Sequence, residues 1–208
     1  MFAQSLFSNP QFYFMWIFLV VFSVCAHEYF HAQVALWEGD STAYDNGYLT
    51  LNPLKQMGIM SLIALLLIGI SWGGVPVNPN RMRHKYSEAI VAFAGPFINF
   101  ILFILFSFAA SIAYVKTGDG TSLLVQFFFI GGVLNTVLFI FNLIPVPPLD
   151  GWSIISVIFP KIHSINSELR NGFVFAIFAI VFFSFGKIFL FGAFITNTTV
   201  NMFTGWLL

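Results

Sequence analysis

Charge is scarce in this chain, and where it is missing is informative. Eight Lys and Arg residues and eight Asp and Glu residues make up 8% of 208 positions, whereas a soluble domain carries about 25%. No charged residue precedes Glu28. That gap excludes the basic n-region of a secretory leader, so the first apolar run reads as a retained span. Acidic and basic residues balance, which excludes the basic excess of a nucleic-acid partner. Cys25 is the single cysteine, so an internal disulfide is excluded. No internal repeat, low-complexity tract or appended soluble domain interrupts the chain.

What is present is lipid-like. Hydrophobic residues make up 59% of the sequence and Phe alone occurs 29 times, the composition of an integral membrane protein. A helix needs about 20 apolar residues to cross the hydrocarbon core. Residues 12–37, 89–114, 123–144 and 173–195 meet that length. Residues 57–72 are apolar but short, bracketed by Asn52-Pro53 and by Gly73-Gly74-Val75-Pro76, so they form either a short span or a re-entrant segment. Basic residues favour cytoplasmic loops. A re-entrant segment with the N-terminus outside leaves only Lys116 on the outer side, with Lys55, Arg81, Arg83, Lys85, Lys161 and Arg170 inside. A full crossing puts Lys55 and Lys116 outside, a difference of one residue. Pro145, Pro147 and Pro148 cannot continue a helix. The span before them is expected to break near Ile144, and residues 152–159 are expected to form a short helix.

The expensive residues lie in the first span. His27, Glu28 and His31 follow an apolar run, and ionisable groups at membrane depth mark function. On a helix the two histidines lie four apart on one face, so both rings reach one ion, and His-Glu-x-x-His is the zinc-hydrolase spacing. Glu28 is offset by one position, close to the ion but poorly aimed as a ligand. That is where a general base takes a proton from metal-activated water. The alternative, a histidine pair hydrogen-bonded in a bundle, leaves three ionisable groups in five residues unexplained.

A catalytic zinc site needs a third protein ligand and an open position. Glu38, Asp40, Asp45, Glu88 and Asp119 read as solvated interfacial charge. Asp150, between Leu149 and Gly151 with no basic neighbour, is either a turn-capping residue or a cation ligand. Asn135 and Asn142 lie seven apart on one helix face, and Asn99 follows Gly95-Pro96. Such amides glue helices together or stabilise an oxyanion. Asn142 is the preferred candidate for the oxyanion or substrate role, with Asn99 and Asn135 packing the bundle. His84 belongs to a basic interfacial patch, His163 sits in a polar loop without a ligand-like partner, and Cys25 is core filler.

Three motifs in order resemble the site-2 protease family, peptidase family M50, in its compact bacterial branch. They are His27-Glu28-Tyr29-Phe30-His31, Gly95-Pro96-Phe97-Ile98-Asn99, and the run from Asn142 through Pro145, Pro147 and Leu149-Asp150-Gly151. The resemblance implies that Asp150 is the third ligand of one Zn2+ per chain and that Glu28 is the catalytic acid and base. It implies hydrolysis of peptide bonds in or near transmembrane segments of membrane-protein substrates. The spans bearing the histidines and Asp150 run parallel in this family, with the Gly-Pro span antiparallel between them. That parity favours the re-entrant reading of residues 57–72. Val75-Pro76-Val77-Asn78-Pro79 keeps most of a proline-rich stretch of this branch, while Asn52-Pro53 departs from its usual His-Pro and Ser71-Trp72-Gly73-Gly74 lacks the usual Lys before Pro76.

The expected architecture is therefore an all-α, multi-pass membrane protein. One domain covers 1–208, its catalytic core is about 12–151, and a C-terminal span is about 173–195. Three catalytic spans are joined by a re-entrant segment and a small extended, β-like element near Val75–Asn78. The expected setting is the cytoplasmic membrane of a bacterium, with the lipid bilayer and a transmembrane substrate as partners and with no oligomeric state specified. His27 lies about 22 Å along the first span, which puts the metal in the cytoplasmic half. A cation transporter is the competing reading, and the lack of repeat symmetry counts against it. A non-catalytic, client-binding relative is the other, and an intact Glu28 counts against it.

Overall fold

A computed structural model describes residues 2–160, 162, 172, 174–177, 179 and 184–208, and no strand occurs among them. Helix α1, Pro10–Trp37, starts where the Asn9 side chain accepts the Phe12 N–H at 3.1 Å and Pro10 occupies the first turn. Helix α2, Gly58–Ile68, is short; α3, Ser87–Thr117, and α4, Leu123–Asn142, are long. Helix α5, Asp150–Ile158, and α6, Phe185–Leu207, follow, and four-residue helices at Ser5–Ser8, Thr42–Asp45 and Pro53–Gln56 lie between or before the longer ones. Among the described residues three helices, α1, α3 and α4, are long and apolar enough to cross a membrane. This is an all-α membrane protein.

Contacts between helices give their directions. Near the end of α1, Glu38 accepts the Ser87 hydroxyl that opens α3. His31 meets the Val91 carbonyl, and His27, one turn back, meets Asn99 further along α3. Helix α3 therefore runs antiparallel to α1. Helix α4 reverses again, with Asn135 bonded to both Asn99 and Ser23. Glycines let these helices close on one another, as is usual where lipid supplies no hydrophobic drive between them. A Cβ at Gly131 would lie 2.7 Å from the Phe106 ring, and one at Gly132 would lie 2.8 Å from Thr196.

Helix α2 is only about 16 Å long at 1.5 Å per residue, and the chain doubles back after it. Trp72 donates its N–H to the Ser61 hydroxyl at 2.8 Å and accepts that hydroxyl's proton at its carbonyl at 2.6 Å. Gly74 N–H reaches the Gln56 carbonyl at 3.1 Å. The tip is held by Tyr13 and Trp16, which donate to the Leu66 and Gly69 carbonyls at 3.0 and 2.9 Å. At the other end Asn78 N–H donates to Asp40, and Arg83 N–H to the Glu38 carbonyl. Asp40 was expected to be solvated; instead it is fully buried, and its carboxylate also accepts the N–H and hydroxyl of Thr42. Burial pushes this carboxyl up, but the Asn78 N–H, the two Thr42 bonds and nearby Arg81 hold it below the ordinary range.

The C-terminal boundary also departs from expectation. The tail from Thr196 continues α6 to Leu207 and packs into the bundle, where Thr196 meets the Thr136 hydroxyl at 3.2 Å and the Val200 carbonyl accepts from Ser111. Small polar residues in that tail hide its helical character from a hydropathy reading. Residue 173, the expected start of the last span, lies outside the described residues, as do Lys161, His163 and Arg170.

Candidate metal centre

Three side chains from two helices converge in the middle of this bundle. His27 and His31 stand one turn apart on α1, and their Nε2 atoms are 2.9 Å from each other. Asp150 opens α5, with Oδ2 at 3.1 Å from His27 Nε2 and Oδ1 at 3.3 Å from His31 Nε2. The proline run ends α4 at Asn142 and carries the chain across to the histidines, with Val146 buried beneath it. Gly151 permits the approach: a Cβ there would lie 2.3 Å from the Leu143 carbonyl oxygen.

The hydrogen bonds on the far sides of the rings decide what fits between them. His27 Nδ1 lies 2.6 Å from Asn99 Oδ1, and His31 Nδ1 lies 2.7 Å from the Val91 carbonyl oxygen. Both partners are acceptors, so both Nδ1 atoms carry hydrogen and both Nε2 atoms present lone pairs. Two lone pairs 2.9 Å apart, facing a carboxylate, repel one another unless a cation lies among them. Asp150 Oδ2 is buried and has no hydrogen-bond donor, as expected of an oxygen reserved for a metal. Gly95 of α3 keeps the space open, since a Cβ there would come within 2.3 Å of His31 Nε2 and 2.5 Å of His27 Nε2. Two imidazoles and one carboxylate form a donor set that suits zinc with one position left for water. These three residues can therefore hold Zn2+.

Glu28 is buried beside the histidines and faces the segment that returns from α2. A Cβ at Gly73 would lie 2.5 Å from the Glu28 Cγ and Oε1 atoms, so a glycine is what admits this carboxylate. All four residues open onto a cleft of about 490 Å³, also lined by Trp72, Val75, Glu88 and Asn142. Asn142 donates to the Leu138 carbonyl of its own helix at 3.0 Å. Asn99 and Asn135 are buried and joined to each other at 2.9 Å. Glu88, expected to be interfacial, belongs to the cleft wall, and Glu38 accepts the Ser87 hydroxyl. Asp45 and Asp119 are exposed, as expected. What Gly73, Gly95 and the Val91 carbonyl contribute is space or backbone and is not legible in residue type, although Gly95 stands in the Gly-Pro motif. Adjacent glycines before a Val-Pro step were the available signal for Gly73.

Residues 110–184 match the model of peptidase family M50. YwhC of Bacillus subtilis, whose name proposes a zinc metalloprotease, is 34% identical over 172 residues, covering 80% of this chain and 78% of its own. Rip2 of Mycolicibacterium smegmatis, named in the same terms, is 33% identical over 62% of this chain and 51% of its own. Rip2 of Mycobacterium tuberculosis is 28% identical over 63% and 52%. No solved structure matches. By this kinship the chain belongs to peptidase family M50, the site-2 protease family, as a membrane zinc metalloprotease.

Proposed function

We propose that this enzyme is an intramembrane endopeptidase that hydrolyses peptide bonds in or near the membrane-spanning segments of other proteins. The observation that carries the proposal is the buried convergence of His27, His31 and Asp150 beside Glu28, at a cleft enclosed by apolar helices. His27, His31 and Asp150 are assigned as the zinc ligands and Glu28 as the catalytic acid and base. Zinc in that position supplies the Lewis acidity that makes water a nucleophile near neutral pH. Glu28 takes the proton from the attacking water and returns it to the departing amine, as a single carboxylate one residue from a ligand is placed to do. Asn142 retains a second amide hydrogen beyond its bond to Leu138, and we assign it to the substrate carbonyl.

A helical substrate must unwind, because its amides are shielded by their own hydrogen bonds. Segment 75–78 is assigned as the edge that receives it. Gly73, Val75 and Val77 have no backbone partner among the described residues and lie along the cleft, which suits strand addition. The doubled-back course of α2 supports a re-entrant segment, in which irregular backbone is tolerated because protein covers it or a cavity adjoins it. With the N-terminus outside the cytoplasmic membrane, the metal lies in the cytoplasmic half. The deciding experiment reconstitutes purified protein with single-span substrates and compares wild type with Glu28→Gln. Expected are bound zinc in both, cleavage by wild type only, and cut sites within the span or a turn beyond it. Wild type without zinc, cleavage undiminished by the substitution, or cuts confined to soluble regions would each sink the reading.

A further inference from the structure

The two histidines are oriented by different kinds of acceptor. His31 Nδ1 faces the Val91 backbone carbonyl, which cannot turn round. His27 Nδ1 faces the side-chain amide of Asn99. A primary amide has an oxygen on one side and an NH2 on the other. Rotated by half a turn, Asn99 would present hydrogen to Nδ1, move the ring proton to Nε2, and place that proton where the metal belongs. Something must hold Asn99 the right way round.

We infer that Asn135 and the Gly131 carbonyl set the tautomer of His27 through Asn99, which makes Asn135 a positioning residue for the metal centre. The inference rests on the zinc-ligand role proposed above. Asn99 donates from Nδ2 to Asn135 Oδ1 at 2.9 Å, so its oxygen is left for His27. Asn135 in turn has its Nδ2 at 2.9 Å from both the Gly131 carbonyl and the Ser23 hydroxyl, so both of its hydrogens are engaged. Turning Asn135 would set its oxygen against the Gly131 carbonyl, two acceptors with no hydrogen between them. The Ser23 hydroxyl can reverse, but the carbonyl cannot. Direction is therefore fixed at Gly131 and passed along a line of amides to the ring. The three polar side chains that support it, Ser23, Asn99 and Asn135, are fully buried, so water cannot substitute for a lost partner. Ser23 lies one turn before His27 on α1, and the line thus returns to the helix that bears the ligand.

A merely structural role would stabilise the bundle without selecting a tautomer, and two variants separate these cases. Asn135→Leu removes the acceptor for Asn99. Asn135→Asp, as a neutral carboxylic acid, keeps an oxygen toward Asn99 and offers its hydroxyl to Gly131. The measurements are the ring-nitrogen NMR shifts of His27 in zinc-free protein, zinc affinity by chelator competition, and thermal unfolding. Expected is a single Nδ1–H tautomer in wild type and Asn135→Asp, mixed tautomers in Asn135→Leu, and zinc affinity about 10–100-fold weaker in the leucine variant alone. An unchanged tautomer and affinity in Asn135→Leu, whatever its thermal stability, would overturn the inference. Should that variant not fold, loss of the Nδ1–H tautomer in a folded Asn135→Asp would overturn it as well. Wild type that binds no zinc would overturn the proposed function, and the zinc-free tautomer would still decide the role of Asn135.

Discussion

Two glycines are sensitive positions at the scale of single residues, because each leaves room for a different reacting group. A methyl at Gly95 would lie within 2.5 Å of both ligand nitrogens. Gly95→Ala is therefore expected to fall from about one zinc per chain, the complement of a single site, to almost none on metal analysis, with helix content retained by circular dichroism. A methyl at Gly73 meets Glu28 instead. Gly73→Ala is expected to keep its zinc and lose cleavage by about 100-fold or more, the usual worth of a positioned proton-transfer group. If both variants lost zinc equally, the separation of metal from proton transfer would be wrong. The sequence named the groups that react and missed the groups that leave space. A ligand declares itself by its chemistry, while an empty volume exists only once helices pack. Asp150 shows the intermediate case: its residue type suggested a cation, but only the chain reversal at the proline run brings it to the histidines.

At the scale of elements, the link between α1 and the segment after α2 is a buried carboxylate. Asp40 follows the end of α1 and accepts the Asn78 N–H, so it fixes the far end of the segment that lines the cleft. Its carboxyl is held below the ordinary value in the folded protein, which lies near 3.9 when unfolded. The stability it contributes is therefore complete above about pH 4 and is lost as pH falls through the lower, folded value. Thermal midpoints measured from pH 7 down to pH 3 should fall at the acid end in wild type. Asp40→Asn should be less stable at pH 7, by about 1–3 kcal/mol for one unmatched buried donor, and its midpoint should lose part of that acid dependence. Equal acid dependence in both proteins would show that Asp40 is not the titrating anchor. Elements with uniform apolar runs were legible in advance: α1, α3 and α4 begin and end within three residues of the expected bounds. Helix α6 was not, because Thr196, Asn197, Thr198 and Thr199 lower its hydropathy, while the three threonine side chains satisfy partners inside the bundle or their own helix backbone.

For the whole molecule the decisive question is which loops share a side of the membrane. If residues 57–72 crossed fully, the loop containing Asn46 and the stretch containing Asn80 would face opposite compartments. The structure brings them together, since Arg81 lies 3.6 Å from Asp45 and Asn78 is bonded to Asp40. On the proposed re-entrant topology α3 would carry the chain to the other side at Gly118, and the α3–α4 turn around Gly120 is exposed. Native Cys25 is buried, so it offers little background to a membrane-impermeant thiol reagent. Single cysteines at Asn46, Asn80 and Gly120 make the test, read in intact cells and in inverted vesicles. Asn46→Cys and Asn80→Cys should label only from the cytoplasmic side, and Gly120→Cys only from outside. Labelling of positions 46 and 80 from opposite sides would make residues 57–72 a full span and would reverse α3 relative to α1. That reversal would also part Asn99 from His27 and Asp150 from both histidines. The topology and the metal centre therefore stand or fall on the same three labels.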